Sequence, residues 1–207
     1  MIGADVSEGI STGDFSTAEV LKQSNLEQVA EFKGLLPPAQ FADRLLSCAE
    51  WYHDAVLGVE ANNHGIATVV KIEEANYPYA YYRETFDKVV KRPVNRIGWY
   101  TDKKTKPVMI QHLEEMIRLE LIILHSKDLL EELNTYVLDD AGKTGAQSKC
   151  HDDLVIALAI ALQMHKYAPQ VRMEADVEKF PTQSEMLQRH IDSFEKPEES
   201  WLTGDFE

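Results

Sequence analysis

The sequence predicts an α/β domain in which a mixed β-sheet is flanked by helices. Three observations carry this. The first 34 residues hold three short strand-like segments separated by turns. Helical periodicity then alternates with short apolar runs from Pro37 to Val137. Residues 154–164 are apolar on every side, the pattern of a buried helix.

Taken in order, Ile2-Gly-Ala-Asp-Val-Ser opens as a short strand that turns at Glu8-Gly9. Thr17 to Gln23 alternates after a Gly13-Asp14 turn and reads as a second strand. Gln28 to Phe32 is a third, closed by Lys33-Gly34, and the three form an antiparallel meander. Pro37-Pro38 starts a helix, because proline is tolerated in a first turn. Phe41, Leu45, Leu46, Ala49 and Trp51 or Tyr52 follow at helical spacing, to an end near His53-Asp54. Ala55 to Val59 is an unbroken apolar run, read as a buried strand ending on Glu60. His64-Gly65 opens a helix carrying Ile66, Val69, Val70 and Ile72.

Tyr79 to Arg83 reads as a strand, and Arg83 to Tyr100 as a basic β-hairpin or extended loop. Lys106-Pro107 begins a helix through Met109, Ile110, Leu113, Met116 and Ile117. Leu121 to Leu124 reads as a short buried strand. Ser126 caps a helix with Asp128 in its first turn, reaching about Val137. Asp139 to Lys149 is a polar loop, and the buried helix from Leu154 to Met164 follows His151-Asp152-Asp153. Residues 1–170 are expected to form one domain. Residues 171–207 are expected to be an acidic tail, partly disordered or partner-binding.

Composition narrows the function. The chain has 207 residues, 44% of them hydrophobic, which is enough for one sizeable core. No apolar run is long enough to span a bilayer, and the N-terminus lacks the basic and apolar segments of a secretory signal. Cys48 and Cys150 lie far apart, which fits a reducing compartment and excludes a zinc knuckle. The net charge of −14 argues against a broad electrostatic grip on DNA and favours cation binding. Ten acidic and four basic residues from Val171 onward account for six of those fourteen charges.

Candidate chemistry lies in the carboxylates. Asp5 sits in the apolar stretch of the first strand, Glu60 at the carboxyl end of a buried strand, and Asp152 and Asp153 at the start of a buried helix. Ligands of open α/β sheets gather beyond the carboxyl ends of strands. Carboxylates converging there repel one another unless cations neutralise them. Oxygen ligands suit Mg²⁺ or Mn²⁺ rather than zinc. Two such ions, typically roughly 3.5–4 Å apart, can hold the attacking water and the leaving oxygen of a phosphodiester in line.

Each carboxylate also has a plain structural reading. Asp5 fits a turn-former, Glu60 a turn or helix-start charge, and Asp152 and Asp153 favourable charges at a helix N-terminus. His151 and His64 flank these positions as second-rank candidates for metal ligation or water orientation, and equally fit ordinary loop or cap residues. Lys88, Lys91, Arg92 and Arg96, with Lys103, Lys104 and Lys106, are the only concentrated positive region. They read either as a solvated face or as a DNA-contacting hairpin that positions phosphates. Gly142-Lys143-Thr144 resembles the end of a P-loop, but Val137 stands where the earlier glycine is required, so no ATPase motif is present.

These pieces together resemble the nuclease domain of phage terminase large subunits. Gly3-Ala-Asp5-Val-Ser-Glu-Gly9 with Gly13-Asp14 is similar to the opening strand of that family, and Gly58-Val-Glu60-Ala-Asn62-Asn63-His-Gly65 to its second acidic motif. Gly98-Trp-Tyr-Thr101, Lys106-Pro-Val-Met-Ile110, and Ile122 to Leu133 resemble the segments between. His151-Asp152-Asp153-Leu-Val155-Ile-Ala157-Leu-Ala-Ile-Ala161-Leu resembles the closing motif, so the likeness spans most of residues 2 to 165.

The resemblance implies an RNase H-like fold akin to the RuvC resolvases. It implies a metal-dependent endonuclease cutting concatemeric viral double-stranded DNA during packaging, with two divalent cations, Mg²⁺ or Mn²⁺. It carries over Asp5, Glu60, and Asp152 or Asp153 as metal ligands, leaving the choice between the adjacent aspartates open. The implied partners are DNA, a packaging ATPase domain in the same full-length protein, the portal and the terminase small subunit, in the cytoplasm of an infected bacterial host. On this view Met1 was added or replaces a linker residue ahead of an excised domain. The competing expectations are a RuvC-like Holliday junction resolvase and a non-catalytic module that docks a portal or small subunit.

Overall fold

The computed structural model describes residues 1–10, 14–138, 144–148 and 150–168. The acidic tail at 171–207, and residues 139–143 and 149 of the polar loop, lie outside the described residues. The central sheet has the order β3-β2-β1-β4. Strands β1 (Ile2–Asp5), β2 (Ser16–Leu21) and β3 (Gln28–Gly34) are antiparallel neighbours, and β4 (Leu57–Val59) runs parallel to β1. The sheet is therefore mixed, with the N-terminal meander in place.

Strand parity divides the sheet into two faces. Ile2, Ala4, Ala18, Val20, Leu57 and Val59 share one core with α1 (Pro38–Trp51) and α2 (Gly65–Glu74). Phe41, Ala42, Leu45 and Ala49 form the buried stripe of α1. Tyr52 packs against that core, whereas Trp51 is 81% exposed, which settles which of the two continues the stripe. The alternate strand positions face α5 (Asp153–Met164), and α3 (Thr105–Arg118) and α4 (Lys127–Thr135) pack beside it. All twelve residues of α5 are buried, which accounts for a segment without a polar side.

Glycine sets how near α5 comes to the sheet. Gly3 and Gly58 are register partners on β1 and β4. A methyl group at Gly3 would fall on the Ala157 carbonyl oxygen and the Ala161 amide of α5, and one at Gly58 on the Met164 side chain. Among the described residues two small sheets lie outside the main one: the hairpin of β5 (Tyr82–Asp87) and β6 (Arg92–Ile97), and the pair β7 (Tyr136–Leu138) and β8 (Thr144–Ala146). After β6, Gly98 takes φ +84° and redirects the chain alongside β4. Trp99 N–H then donates to Val59 O, and Ala61 N–H to Trp99 O, each at 2.7 Å. The hairpin is thus rooted beside Glu60.

Three local expectations are corrected. The strand expected at Tyr79 to Arg83 begins at Tyr82 and belongs to the hairpin. Leu121 to Leu124 is neither a strand nor buried. It makes one parallel bridge, Ile123 to Glu27 on the edge strand side, and Leu121 and Ile123 are exposed. A four-residue apolar run does not separate a strand from an extended connector by periodicity. Finally, α4 ends at Thr135 rather than near Val137, because the aromatic and β-branched residues that follow go into β7, paired with β8 inside the expected loop. The Ser126 cap is present, its hydroxyl accepting from Leu129 N–H at 3.1 Å.

Gly3→Ala is expected to lose about 1–3 kcal/mol or more by overpacking, a fall of roughly 2–4 °C in Tm per kcal/mol for a chain of this size. Circular dichroism melting checks this; an unchanged midpoint would mean that α5 does not lie against β1 at this residue.

Candidate metal centre

The parity that faces Gly3 and Gly58 toward α5 does the same for the residues two places on, Asp5 and Glu60. Glu60 N–H donates to Ala4 O at 2.9 Å, so the carboxyl ends of β1 and β4 are level. The N-terminus of α5 points at the same place and carries Asp153. Thr17, the register partner of Asp5 on β2, donates its hydroxyl to Asp153 O at 2.8 Å. Phe15 N–H donates to Asp153 Oδ2 at 3.1 Å. Asp5, Glu60, Asp14, Asp152, Asp153 and Lys106 line one cleft of about 490 Å³.

The acids strain against one another. Burial, then the Glu60 charge and a hydrogen bond with the Glu60 side chain, push the Asp5 carboxyl well above its ordinary range. The Asp153 charge adds to this, while a bond from Val6 N–H to Asp5 Oδ1 at 2.9 Å works the other way. Asp153 is pushed up to about 6, chiefly by burial and against the Phe15 hydrogen bond. Neighbouring carboxylates in a shielded site favour protonation unless a cation compensates them.

The two adjacent aspartates are placed differently. Asp153 is buried and acts electrostatically on Asp5. Asp152 takes the N-cap position of α5 without a side-chain cap bond, and its Oδ2 lies 3.5 Å from Lys106 Nζ. His151 Nδ1 is 3.6 Å from Asp153 Oδ2 and 3.7 Å from Asp14 Oδ1. Potential ligand atoms of Asp14, His151 and Asp153 all lie within 4.8 Å of one another. His64 also lines the cleft, with Nε2 3.1 Å from Glu8 Oε1.

The donor set fits a hard divalent cation. Asn62 Nδ2 donates to Thr101 O at 2.7 Å and to Glu60 Oε1 at 3.4 Å, which fixes the amide. Asn62 Oδ1 and Thr101 Oγ1, both of cleft-lining residues, are buried without a partner among the described residues. Carboxylates with spare neutral oxygens match the preference of Mg²⁺ or Mn²⁺.

The expected positive region is divided. Lys88 and Lys91 lie in the hairpin turn, Arg92 and Arg96 on β6, and Lys103 and Lys104 just before α3. Arg96 pairs with Asp87 at 3.1 Å. Lys106 stands apart from these, in the first turn of α3, and reaches into the acidic cleft over the Tyr136 ring. Sequence reasoning missed Asp14, Asn62 and Thr101. A signal for Asp14 existed: a residue just ahead of a strand antiparallel to β1 returns to the end of β1 where Asp5 sits.

Comparison with known proteins bears on this geometry. The family model for the terminase RNase H-like domain matches residues 2–165. The chain belongs to that family. The large terminase nuclease of thermophilic phage G20c shares its fold, at 20% identity over 78% of this chain and 80% of that one, with a TM-score of 0.56. A structure of the G20c nuclease with bound magnesium gives a TM-score of 0.60 at the same identity, covering 78% and 79%. The human cytomegalovirus terminase nuclease domain, soaked with Mn and inhibitor-bound, gives 0.52 at 12% identity, covering 79% and 81%. No curated protein sequence matches the chain. The RNase H-like expectation for the fold therefore holds.

The raised Asp153 value sets a sign for pH dependence. Stability tied to a carboxyl whose folded pKa exceeds its ordinary value is full below about pH 4 and is lost as pH rises through about 6. Asp5 is shifted in the same direction. Metal-free protein is expected to melt lower at pH 7 than at pH 5, and Asp153→Asn to flatten part of that slope. A melting curve indifferent to pH across this window would remove the electrostatic account.

Proposed function

We propose that the chain is a metal-dependent endonuclease acting on viral double-stranded DNA during genome packaging. The carrying observation is the convergence of Asp5, Glu60 and Asp153 at the strand ends and helix start, with Asp5 and Asp153 held toward protonation. Membership of the terminase RNase H-like family and the metal-bound state of the G20c relative support the same reading.

In this mechanism Asp5, Glu60 and Asp153 would hold two Mg²⁺ or Mn²⁺ ions, with Asn62 and His151 as further donors at the rim. Bound there, such ions would supply two things: a water made more acidic, and positive charge beside the departing 3′ oxygen. No serine or cysteine nucleophile is required. The protein supplies the alignment: the β1–β4 register sets Asp5 beside Glu60, and Phe15 and Thr17 hold Asp153 over them. Lys106 pairs with Asp152 and offers a cation to a phosphate entering the cleft. Lys88, Lys91, Arg92, Lys103 and Lys104 grip the backbone outside it, and Arg96 does so while held by Asp87.

The remaining grip is assigned to the rest of the packaging machine: an ATPase domain of the same polypeptide, the portal and the small subunit, in the cytoplasm of an infected bacterium. Among the described residues no helix is long and apolar enough to cross a membrane.

Plasmid cleavage at low salt, with Mn²⁺, Mg²⁺ or EDTA, tests the proposal. Asp5→Asn and Glu60→Gln are expected to lose about a hundredfold or more in rate, beyond what loss of an outer-shell partner costs, while remaining folded. Normal cutting by either variant would strip that residue of its role, and a strong preference for branched over linear duplex would favour a junction resolvase. Separately, Lys91→Ala with Arg92→Ala is expected to weaken DNA binding and lower the slope of log affinity against log salt by about 2. An unaltered slope would mean that the hairpin does not touch phosphates.

A further inference from the structure

Glu132 lies on α4 and is buried; it does not line the carboxylate cleft, though its charge acts on Asp153. Its Oε1 is 2.6 Å from Lys33 Nζ on β3, and its Oε2 accepts from Leu154 N–H at 2.8 Å. Leu154 is the second residue of α5, where N–H groups have no partner within the helix. Asp152 makes no side-chain cap bond there. Glu132 therefore does from a neighbouring helix what a capping side chain does within its own.

The position matters because Asp153 directly precedes Leu154. From the strand side, Thr17 and Phe15 hold the Asp153 carbonyl and carboxylate. From the other side, Glu132 holds the next amide. Lys33, which neutralises Glu132, also stands 5.1 Å from the centre of the Phe15 ring. The turn that carries Asp153 is clamped from two sides, with Lys33 in contact with both, and a shift of that turn would move Asp153 relative to Asp5.

We propose that Glu132 is a positioning residue for the metal centre, acting through its hydrogen bond to Leu154 N–H to fix the first turn of α5. The inference rests on Asp153 being a metal ligand. It makes the Lys33–Glu132 pair part of the metal site's support and not only a tie between β3 and α4.

The test uses the full chain and Mn²⁺ alone as the probe, with affinity read by calorimetric titration and folding by melting in EDTA. Glu132→Gln keeps an acceptor for Leu154 N–H, whereas Glu132→Ala removes it. Glu132→Ala combined with Lys33→Met removes it without leaving a lysine beside an empty partner, which covers the case in which the single alanine variant fails to fold. The alanine variants are expected to bind Mn²⁺ about 10–100-fold more weakly, and Glu132→Gln to stay within about threefold of the parent. A folded double variant with parental Mn²⁺ affinity overturns the proposal, as does Glu132→Gln weakening as much as alanine. Asp153→Asn separates the two levels. If it binds Mn²⁺ normally, the metal-ligand reading fails and takes this inference with it. If it loses binding while the alanine variants do not, only the role of Glu132 falls.

Discussion

The direct seating of α5 on β1 and β4 is the constraint on which the site depends. Gly3 and Gly58 stand side by side and offer no side chain, so the helix backbone reaches the sheet. Two residues further along each strand the same parity turns Asp5 and Glu60 toward the helix N-terminus, where Asp153 lines the same cleft and its charge acts on Asp5. Glycine and carboxylate are two halves of one device. The glycines let the helix in, and the acids use the proximity. A helix held off by even one methyl group would relieve the repulsion among the acids and pull apart the proposed cation site.

That repulsion costs stability, and several weaker interactions offset it. The N-terminus of α5 places positive dipole near Asp153. Phe15 and Val6 amides donate to Asp153 and Asp5, and Lys106 balances Asp152. These partners leave Asp5 and Asp153 displaced toward protonation. A site prepared in this way is under-compensated by its own protein, which is the condition under which a divalent cation adds most to both folding and binding.

Much of this was legible in the sequence, for identifiable reasons. The α5 segment declared itself because a helix buried on all sides has no polar face to confuse its period. Asp5 and Glu60 stood out because each ends an apolar strand. Which of Asp152 and Asp153 is the buried one that acts on Asp5 could not be read from sequence, since it depends on the rotation of α5 about its axis, on which Phe15, Thr17 and Glu132 bear from distant segments. Leu121 to Leu124 misled because apolar residues on a connector at the sheet edge look like a strand. Glu19 was hidden for a related reason. Alternation along β2 suggests that its polar positions face water, but both faces of this sheet are covered. Glu19 is fully buried, bonded to Gln28 at 2.7 Å and pushed up to about 9, chiefly by burial.

The charge distribution fits a domain that does chemistry more than it holds substrate. With a net charge of −14, the chain as a whole repels the DNA it is proposed to cut, and an approaching phosphate gains only where cations are concentrated. Lys106 inside the cleft and the basic hairpin rooted beside Glu60 supply two such places. Bound divalent ions would supply the third and largest, inverting the sign of the cleft at the point where a phosphodiester must enter. Phosphate access and metal loading are then one event in electrostatic terms. On the proposed function, an empty cleft would repel a phosphodiester through the same carboxylates that bound cations would neutralise.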